Sequence, residues 1–280
     1  MNKTYFLFLA LISCNLFAQN IPTHAEGLNE ELISVQLRDG VRQEGVLSLK
    51  KGFNHPSKLA VILPGYPSVV RPVVENKAMV SSKLNGNFLI RARRFLVDES
   101  LATLIADCHS DSGDYCSSTY QASPQRHQDI ATLILEVKKK LPSIQEVWLV
   151  GTSMGTISSS FMPLHQSGFY AGTIHTASIT EPHARNSYRE LSNFDYKKRT
   201  IPQVFIHHQQ DPCHLTTYSG AKAISEKYQV PLVTVKGGEG FYGPACNAHT
   251  EHGFKGKESE VMQLINQFIK TGKLSQLDVN

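Results

Sequence analysis

Short apolar runs alternate with segments of helical spacing along most of the chain. In residues 33–37 apolar and polar positions alternate, a turn follows at Asp39-Gly40, and residues 41–49 continue as a second strand. This pattern predicts an antiparallel hairpin. Two continuous apolar runs, at 58–63 and 101–106, are typical of buried strands. We expect the hairpin to form one edge of the sheet to which these strands belong.

Three segments have the features of helices. Residues 87–96 fit one helix. A longer helix begins after the N-cap Ser123, with Pro124 in its first turn, and stops before Pro142. In the last helix the apolar positions of residues 261–269 fall on one face, a pattern that requires packing against a sheet.

Further strands are predicted between these helices, at 147–150, 172–178 and 203–208, with the last at 232–235. Strands that alternate with helices predict an α/β fold, in which a mostly parallel twisted sheet has helices on both faces. The segment between residues 178 and 203 is too short for an inserted helical lid domain. We therefore expect no large lid.

Composition limits the number of domains and the compartment. With 280 residues, of which 41% are hydrophobic and 19% charged, the chain can bury one large core. Residues 1–18 differ from the rest, because Lys3 precedes an apolar run at 6–12 and residues 16–18 fit a signal-peptidase site. That run is far shorter than the ~20 residues of a membrane span. We therefore predict a signal peptide at 1–18 and a single domain at 19–280.

Export places the mature protein in the periplasm or outside the cell. A competing interpretation is a bacterial lipobox at 11–14, in which Cys14 is lipidated and anchors the protein to a membrane. The apolar residues continue past Cys14, which favours cleavage after Ala18.

Charge gives no indication of a nucleic-acid partner. Removal of residues 1–18 takes one Lys and no acidic residue, so the formal net charge of +4 falls to +3. No cluster of Lys and Arg with interleaved aromatic residues is present, and we expect Arg91, Arg93 and Arg94 to cover one face of a helix.

Four cysteines remain once Cys14 is removed or lipidated. An even number in an exported protein indicates two disulfides. Of the three pairings that four cysteines allow, we favour Cys108 with Cys116 and Cys213 with Cys246.

A candidate nucleophile follows the strand at 147–150. Residues 151–155 read Gly-Thr-Ser-Met-Gly, the pattern of a nucleophile elbow, in which a sharp turn between strand and helix exposes the serine hydroxyl. Five residues of this type also occur by chance, so the interpretation depends on the strand before Ser153, the segment that could be helical after it and the partners downstream.

A serine hydroxyl is a weak nucleophile at neutral pH, and it needs an imidazole that a carboxylate orients. Asp211 lies just past the strand at 203–208, where loops at the carboxyl ends of parallel strands build active sites. It is the predicted acid, and Glu181 is the substitute. A turn or N-cap aspartate is the structural alternative.

The base should lie between the last strand and the last helix. His252 occupies that loop, 41 residues after Asp211, in the order that the α/β-hydrolase pattern requires. His249, three residues earlier, is the alternative base.

The developing oxyanion needs two backbone N–H donors. The residue after the nucleophile, Met154, supplies one. The second should come from the loop after residues 58–63, where Gly65, Tyr66 and Ser68 are the candidates, and we choose Tyr66.

Cofactor chemistry has little support in the sequence. No His-Glu-x-x-His helix and no phosphate-binding loop is present. His249 and His252 have a spacing that could hold a metal, but no third ligand is evident nearby. We predict neither a metal nor a cofactor.

Taken together, these residues resemble the α/β-hydrolase superfamily over roughly residues 30–272. Gly65-Tyr66 follows one strand, Ser153 lies in the elbow, Asp211 follows a later strand, and His252 precedes the last helix. Residues 85–89, with Cys213 and Cys246, further resemble a group of exported bacterial hydrolases. The departures are Pro64, where many members have histidine, and the missing lid.

The resemblance implies the α/β-hydrolase fold and a Ser-Asp-His triad, without identifying a substrate. We expect an exported serine hydrolase that cleaves a small-molecule or acyl ester through an acyl-enzyme. A catalytically silent binding protein on the same fold, a peptidase and an acyltransferase are the other interpretations, since a fold does not determine function.

Overall fold

A computed structural model describes residues 21–183, 188–198 and 200–280. The predicted signal peptide, with Cys14, lies outside these residues. The strands in the described part of the chain are β1 (Leu28–Arg38), β2 (Val41–Lys50), β3 (Lys58–Leu63), β4 (Val73–Glu75), β5 (Ala78–Ser81), β6 (Leu101–Ala106), β7 (Glu146–Thr152), β8 (Gly172–Thr176), β9 (Gln203–His208), β10 (Leu232–Val235) and β11 (Asp278–Val279).

Nine of these strands form one sheet, in the order β1-β2-β6-β3-β7-β8-β9-β10-β11, and β4 pairs with β5 separately. Strand β2 pairs antiparallel with both β1 and β6, and every other pair in the large sheet is parallel. The predicted mostly parallel sheet, with an antiparallel hairpin at one edge, is confirmed.

The helices of the described chain are α1 (Phe88–Ala92), α2 (Ser118–Gln121), α3 (Pro124–Lys140), α4 (Gly155–His165), α5 (Tyr218–Tyr228) and α6 (Glu258–Thr271). Helix α3 begins as predicted. The side chain of its N-cap Ser123 accepts a hydrogen bond from the N–H of Arg126, which satisfies one of the N–H groups that lack a partner within the helix.

Apolar side chains pack against both faces of the sheet. Along β3, Ala60 and Ile62 pack in the cluster that contains α1 and α6, whereas Leu59, Val61 and Leu63 pack in the cluster that contains α3. Successive side chains of a strand point to opposite faces, so a strand with helices on both sides must be apolar throughout. This explains the continuous apolar run of β3.

The structure corrects three predictions about elements. The predicted helix at 87–96 is shorter, because α1 ends at Ala92 and a 3-10 turn, Arg93–Phe95, follows. The strand predicted at 172–178 ends at Thr176, since Ala177 has a φ of +40°. The strand at 232–235 is not the last, because β11 adds two residues beside it. Helices α2 and α5 and the β4–β5 pair were not predicted.

The three arginines near α1 do not share one helix face. Arg93 is fully buried, and its guanidinium binds both carboxylate oxygens of Glu30 at 2.8 Å. Arg91 pairs with Glu258, and Arg94 pairs with Glu26. The expectation was wrong because acidic partners come from segments distant in sequence.

The connection between β8 and β9 contains two 3-10 turns, Arg189–Leu191 and Tyr196–Lys198, in its described part. Residues 177–183 and 188–198 of this connection contain no α-helix. In residues 21–183, 188–198 and 200–280, none of the helices is both long and apolar enough to cross a bilayer.

Candidate active site

Ser153 lies in the turn between β7 and α4. Its φ is +51°, in the left-handed region that costs energy for any residue with a Cβ. The Ser153 N–H is held by hydrogen bonds to the carbonyl oxygens of Thr176 and Ala177, both at 3.1 Å. Strained backbone of this kind persists where surrounding contacts enforce it, and it concentrates at functional sites.

Two glycines allow the strand and the helix to approach each other around this turn. A Cβ at Gly155 would lie 2.0 Å from the carbonyl oxygen of Leu63, and one at Gly151 would lie 2.6 Å from the hydroxyl of Ser159. Helix α4 therefore packs directly on the end of β3. Gly65 follows β3, and a Cβ there would lie 3.1 Å from the Cβ of Ser153.

Asp211 and His252 are in contact. The Nδ1 of His252 lies 3.1 Å from Oδ2 of Asp211, and both side chains are almost completely buried. The other carboxylate oxygen, Oδ1, accepts a hydrogen bond from the N–H of Cys213 at 2.9 Å. A carboxylate in this position favours the imidazole tautomer with the proton on Nδ1, which leaves Nε2 as the acceptor.

The alternative acid and base have other partners. The ring of His249 stacks on Tyr242, with centroids 4.7 Å apart, and burial, followed by the charges of Arg91 and Lys255, lowers its pKa. Glu181 accepts a hydrogen bond from the hydroxyl of Thr217 at 3.0 Å. The structure thus brings His252, rather than His249, to the predicted acid.

A second buried histidine lies behind this pair. Burial lowers the pKa of His207 to about 4, so its ring is neutral at neutral pH. Its Nε2 accepts a hydrogen bond from the N–H of Ser178 at 2.9 Å. Because a neutral ring carries no charge, His207 does not compete with His252 for the Asp211 carboxylate.

Ser153 and His252 line the same cavity, which has a volume of about 890 Å³. Met154 and Tyr66 also line it. The cavity opens at the carboxyl ends of the parallel strands, where α/β folds bind their ligands. A cavity of this size fits a small molecule.

The geometry narrows the choice of oxyanion donors. Met154 is the N-cap of α4, and the first N–H groups of a helix have no acceptor within it. In the loop after β3, the N–H of Ser68 donates to the carbonyl oxygen of Gly65 at 2.7 Å, so it is already used. Gly65 and Tyr66 remain as candidates for the second donor.

Both favoured disulfides are present, Cys108–Cys116 and Cys213–Cys246. Cys213 and Cys246 both line the cavity. This bridge joins the loop that follows Asp211 to the loop that precedes His252.

Thr216 is a residue of the site that sequence reasoning missed. Its side chain is fully buried, and its hydroxyl donates to Oδ2 of Asp211 at 2.8 Å. The Oγ1 of Thr216 also lies 3.0 Å from Nδ1 of His252. The hydroxyl therefore touches both partners. Nothing in the sequence distinguishes Thr216 from Thr217, which caps α5.

For the ester hydrolysis that the sequence leads us to expect, Thr216→Val should lower kcat about tenfold or more, because a hydrogen bond to a charged group is lost while the shape is kept. Thr216→Ser should restore most of kcat, and KM should change little in both variants. Steady-state kinetics on all three proteins measure this. A Val variant with the kcat of the unmodified protein would show that the hydroxyl does not orient the pair.

In the described parts of the chain, no group of three or more His, Cys, Asp or Glu residues is arranged to hold a metal ion.

No protein-family model matches the sequence, and the search of curated proteins finds no match. Solved structures do match. Est1E from Butyrivibrio proteoclasticus has a TM-score of 0.57 at 16% identity, covering 86% of this chain and 98% of its own. XC6422 from Xanthomonas campestris, described as an α/β serine hydrolase without a lid, has a TM-score of 0.58 at 11% identity, covering 91% and 99%.

The Pyrococcus furiosus esterase Pf2001 has a TM-score of 0.57 at 14% identity, covering 87% of this chain and 92% of its own. Identities this low establish the architecture alone. Together with the sheet order and the turn at Ser153, these matches show that the chain has the α/β-hydrolase fold.

Proposed function

We propose that the protein is a serine hydrolase that cleaves carboxylic esters through an acyl-enzyme. The observation that carries this proposal is the buried contact between Asp211 and His252, with His252 opening into the cavity that Ser153 lines. A nucleophile, a base and an orienting acid are the three groups that acyl transfer to serine requires.

In the proposed reaction, Ser153 Oγ attacks the ester carbonyl and Nε2 of His252 takes its proton. Asp211 stabilises the resulting imidazolium through Nδ1–H. The N–H groups of Met154 and Tyr66 hold the oxyanion. The C–O bond to the alcohol then breaks, and His252 returns the proton to the departing oxygen. Water, deprotonated by His252, hydrolyses the acyl-enzyme and regenerates Ser153.

The solved structures with this fold support an ester as the substrate class. Two of the proteins are esterases or serine hydrolases by name, and one structure of Est1E contains ferulic acid. The cavity volume of about 890 Å³ also suits a small-molecule ester.

Labelling with a fluorophosphonate probe tests the proposal. The probe reacts covalently with an activated serine, so we expect labelling of the unmodified protein and none of Ser153→Ala. Ser160→Ala is a matched control, because Ser160 is fully buried in α4. Equal labelling of the Ser153→Ala and unmodified proteins rejects Ser153 as the nucleophile, and absence of labelling in both favours a catalytically silent protein.

We further propose that residues 1–18 are a signal peptide and that the mature protein works in the periplasm or outside the cell. Two disulfides support this, because structural disulfides persist in oxidising compartments. N-terminal sequencing of the protein from its native host should find Gln19 as the first residue. A lipidated Cys14 at the N-terminus would instead identify a membrane-anchored lipoprotein.

A further inference from the structure

Two tyrosines lie on the cavity wall close to Ser153. The rings of Tyr66 and Tyr115 have centroids 5.8 Å apart and planes tilted by 48°. Both residues line the cavity, and 65% of Tyr66 and 37% of Tyr115 is exposed. Aromatic side chains gain much free energy when their large apolar surface is buried. An exposed pair beside a candidate nucleophile therefore has apolar surface available for a ligand.

The backbone places Tyr66 next to the reacting atoms. Tyr66 follows Gly65, where a Cβ would already be within 3.1 Å of the Ser153 Cβ. Any ester carbonyl attacked by Ser153 must therefore lie next to the main chain of Gly65 and Tyr66. A substituent of that ester is within reach of the Tyr66 ring.

Tyr115 reaches the cavity on a loop that is organised around one arginine. The guanidinium of Arg71 donates to the Asp107 carboxylate at 3.0 Å. It also donates to main-chain oxygens of the loop, those of Cys108, His109, Ser110 and Gly113. The Asp107 carboxylate in turn accepts from the N–H groups of Val70 and Arg71, at 2.6 and 2.9 Å. This network joins the Tyr115 loop to the loop that carries Tyr66.

A covalent bond and a main-chain hydrogen bond complete the connection. Cys116, the neighbour of Tyr115, is bonded to Cys108, and its N–H donates to the carbonyl oxygen of Pro67, the neighbour of Tyr66, at 3.0 Å. Of the residues in this loop, Tyr115 is the one that lines the cavity. The Cys108–Cys116 disulfide thus has a place in the site, because it holds the main chain at Tyr115 against the main chain at Tyr66.

We propose that Tyr66 and Tyr115 form a preorganised clamp for an aromatic ring of the ester substrate. This inference rests on the proposed function. A fixed pair of tilted rings offers edge and face contacts to a third ring, which a saturated ring of the same size cannot make equally well. Because the disulfide and the hydrogen bonds already hold the main chain of both loops, ordering the two rings around a ligand costs little conformational entropy.

The test compares aromatic esters with saturated esters of the same skeleton. Ethyl phenylacetate and ethyl cyclohexylacetate place the ring in the acyl group, whereas benzyl acetate and cyclohexylmethyl acetate place it in the alcohol. In neither pair is the ring conjugated to the carbonyl. We expect kcat/KM to favour the aromatic ester by about tenfold in one of the two pairs, and the pair that shows the preference identifies the side of the ester that the clamp holds.

Variants connect the preference to the two rings. Tyr66→Leu and Tyr115→Leu should each reduce the preference to near parity. Phe53→Leu is the control, because Phe53 is an exposed aromatic residue in the turn before β3. This turn lies at the amino end of β3, whereas Tyr66 follows its carboxyl end. The Phe53→Leu variant should keep the full preference. Inhibition by the free acids and alcohols measures the same ring selectivity on the unmodified protein, without relying on variants.

The outcomes separate this inference from the function on which it rests. If the fluorophosphonate probe labels Ser153 and esters are hydrolysed, but neither pair shows an aromatic preference, the clamp is wrong and the hydrolase stands. A preference that survives both tyrosine variants also overturns the clamp. If no labelling and no ester hydrolysis are found, the proposed function fails and the clamp fails with it.

Discussion

Replacement of His252 by Ala is expected to lower kcat/KM for ester hydrolysis by roughly 10³-fold or more. The Nδ1 of His252 contacts the buried carboxylate of Asp211, and in the proposed mechanism Nε2 accepts the proton of Ser153. Without the ring, the hydroxyl has no base, and the alcohol has no acid. Steady-state kinetics on a soluble acetate ester measure the loss.

His249→Ala is the informative comparison, because His249 lines the same cavity and was the alternative base. Its removal should lower kcat/KM far less, because the His249 ring stacks on Tyr242, whereas the ring that contacts Asp211 is that of His252. Circular dichroism should show that both variants are folded. A larger loss in His249→Ala than in His252→Ala would reverse the assignment of the base.

Gly155→Ala is expected to lower the free energy of unfolding by about 3 kcal/mol. The added Cβ would lie 2.0 Å from the carbonyl oxygen of Leu63 and 2.6 Å from that of Pro64. Both obstacles are main-chain atoms, which cannot rotate away as a side chain can, so α4 must separate from the end of β3. Denaturant unfolding monitored by fluorescence measures the change.

Gly168→Ala separates this clash from backbone strain. Gly168 has a φ of +76° and no atom within 4 Å of an added Cβ, so only the left-handed conformation opposes the substitution, at about 1–2 kcal/mol. An equal decrease in the free energy of unfolding in the two variants would mean that α4 can move away from the end of β3 at little cost. Since Ser153 lies between β7 and α4, the Gly155→Ala variant should also lose probe labelling.

The elbow could be predicted because its determinants are adjacent in sequence. An apolar strand, a glycine on each side of Ser153 and the helix after it lie within residues 146–165. The sheet was predictable for a similar reason, since the continuous apolar run of β3 follows from burial on two faces. Chain order alone led to Asp211 and His252 as the predicted acid and base, and the structure brings these two side chains into contact.

Features that depend on contacts between distant segments could not be predicted. Thr216 contacts both Asp211 and His252 only after the loops that carry these residues pack against each other. The short distance between the rings of Tyr66 and Tyr115 depends on the hydrogen bonds from Arg71 to the main chain of residues 108–113. The burial of Arg93 depends on its pairing with Glu30. Strand β11 has two residues, too few for any periodic pattern to become visible.

The Cys213–Cys246 disulfide changes the path by which the chain links acid to base. Through the two sulfurs, Asp211 is connected to His252 by two residues on one side and six on the other, and residues 214–245 become a closed excursion. Insertions in the exposed turn at 237–243 therefore leave this covalent path unchanged. Even in the unfolded oxidised chain, imidazole and carboxylate stay at an effective concentration on the order of millimolar. The proposed acid and base are thus joined by a short covalent path, and the sequence between Cys213 and Cys246 can vary in length without changing that path.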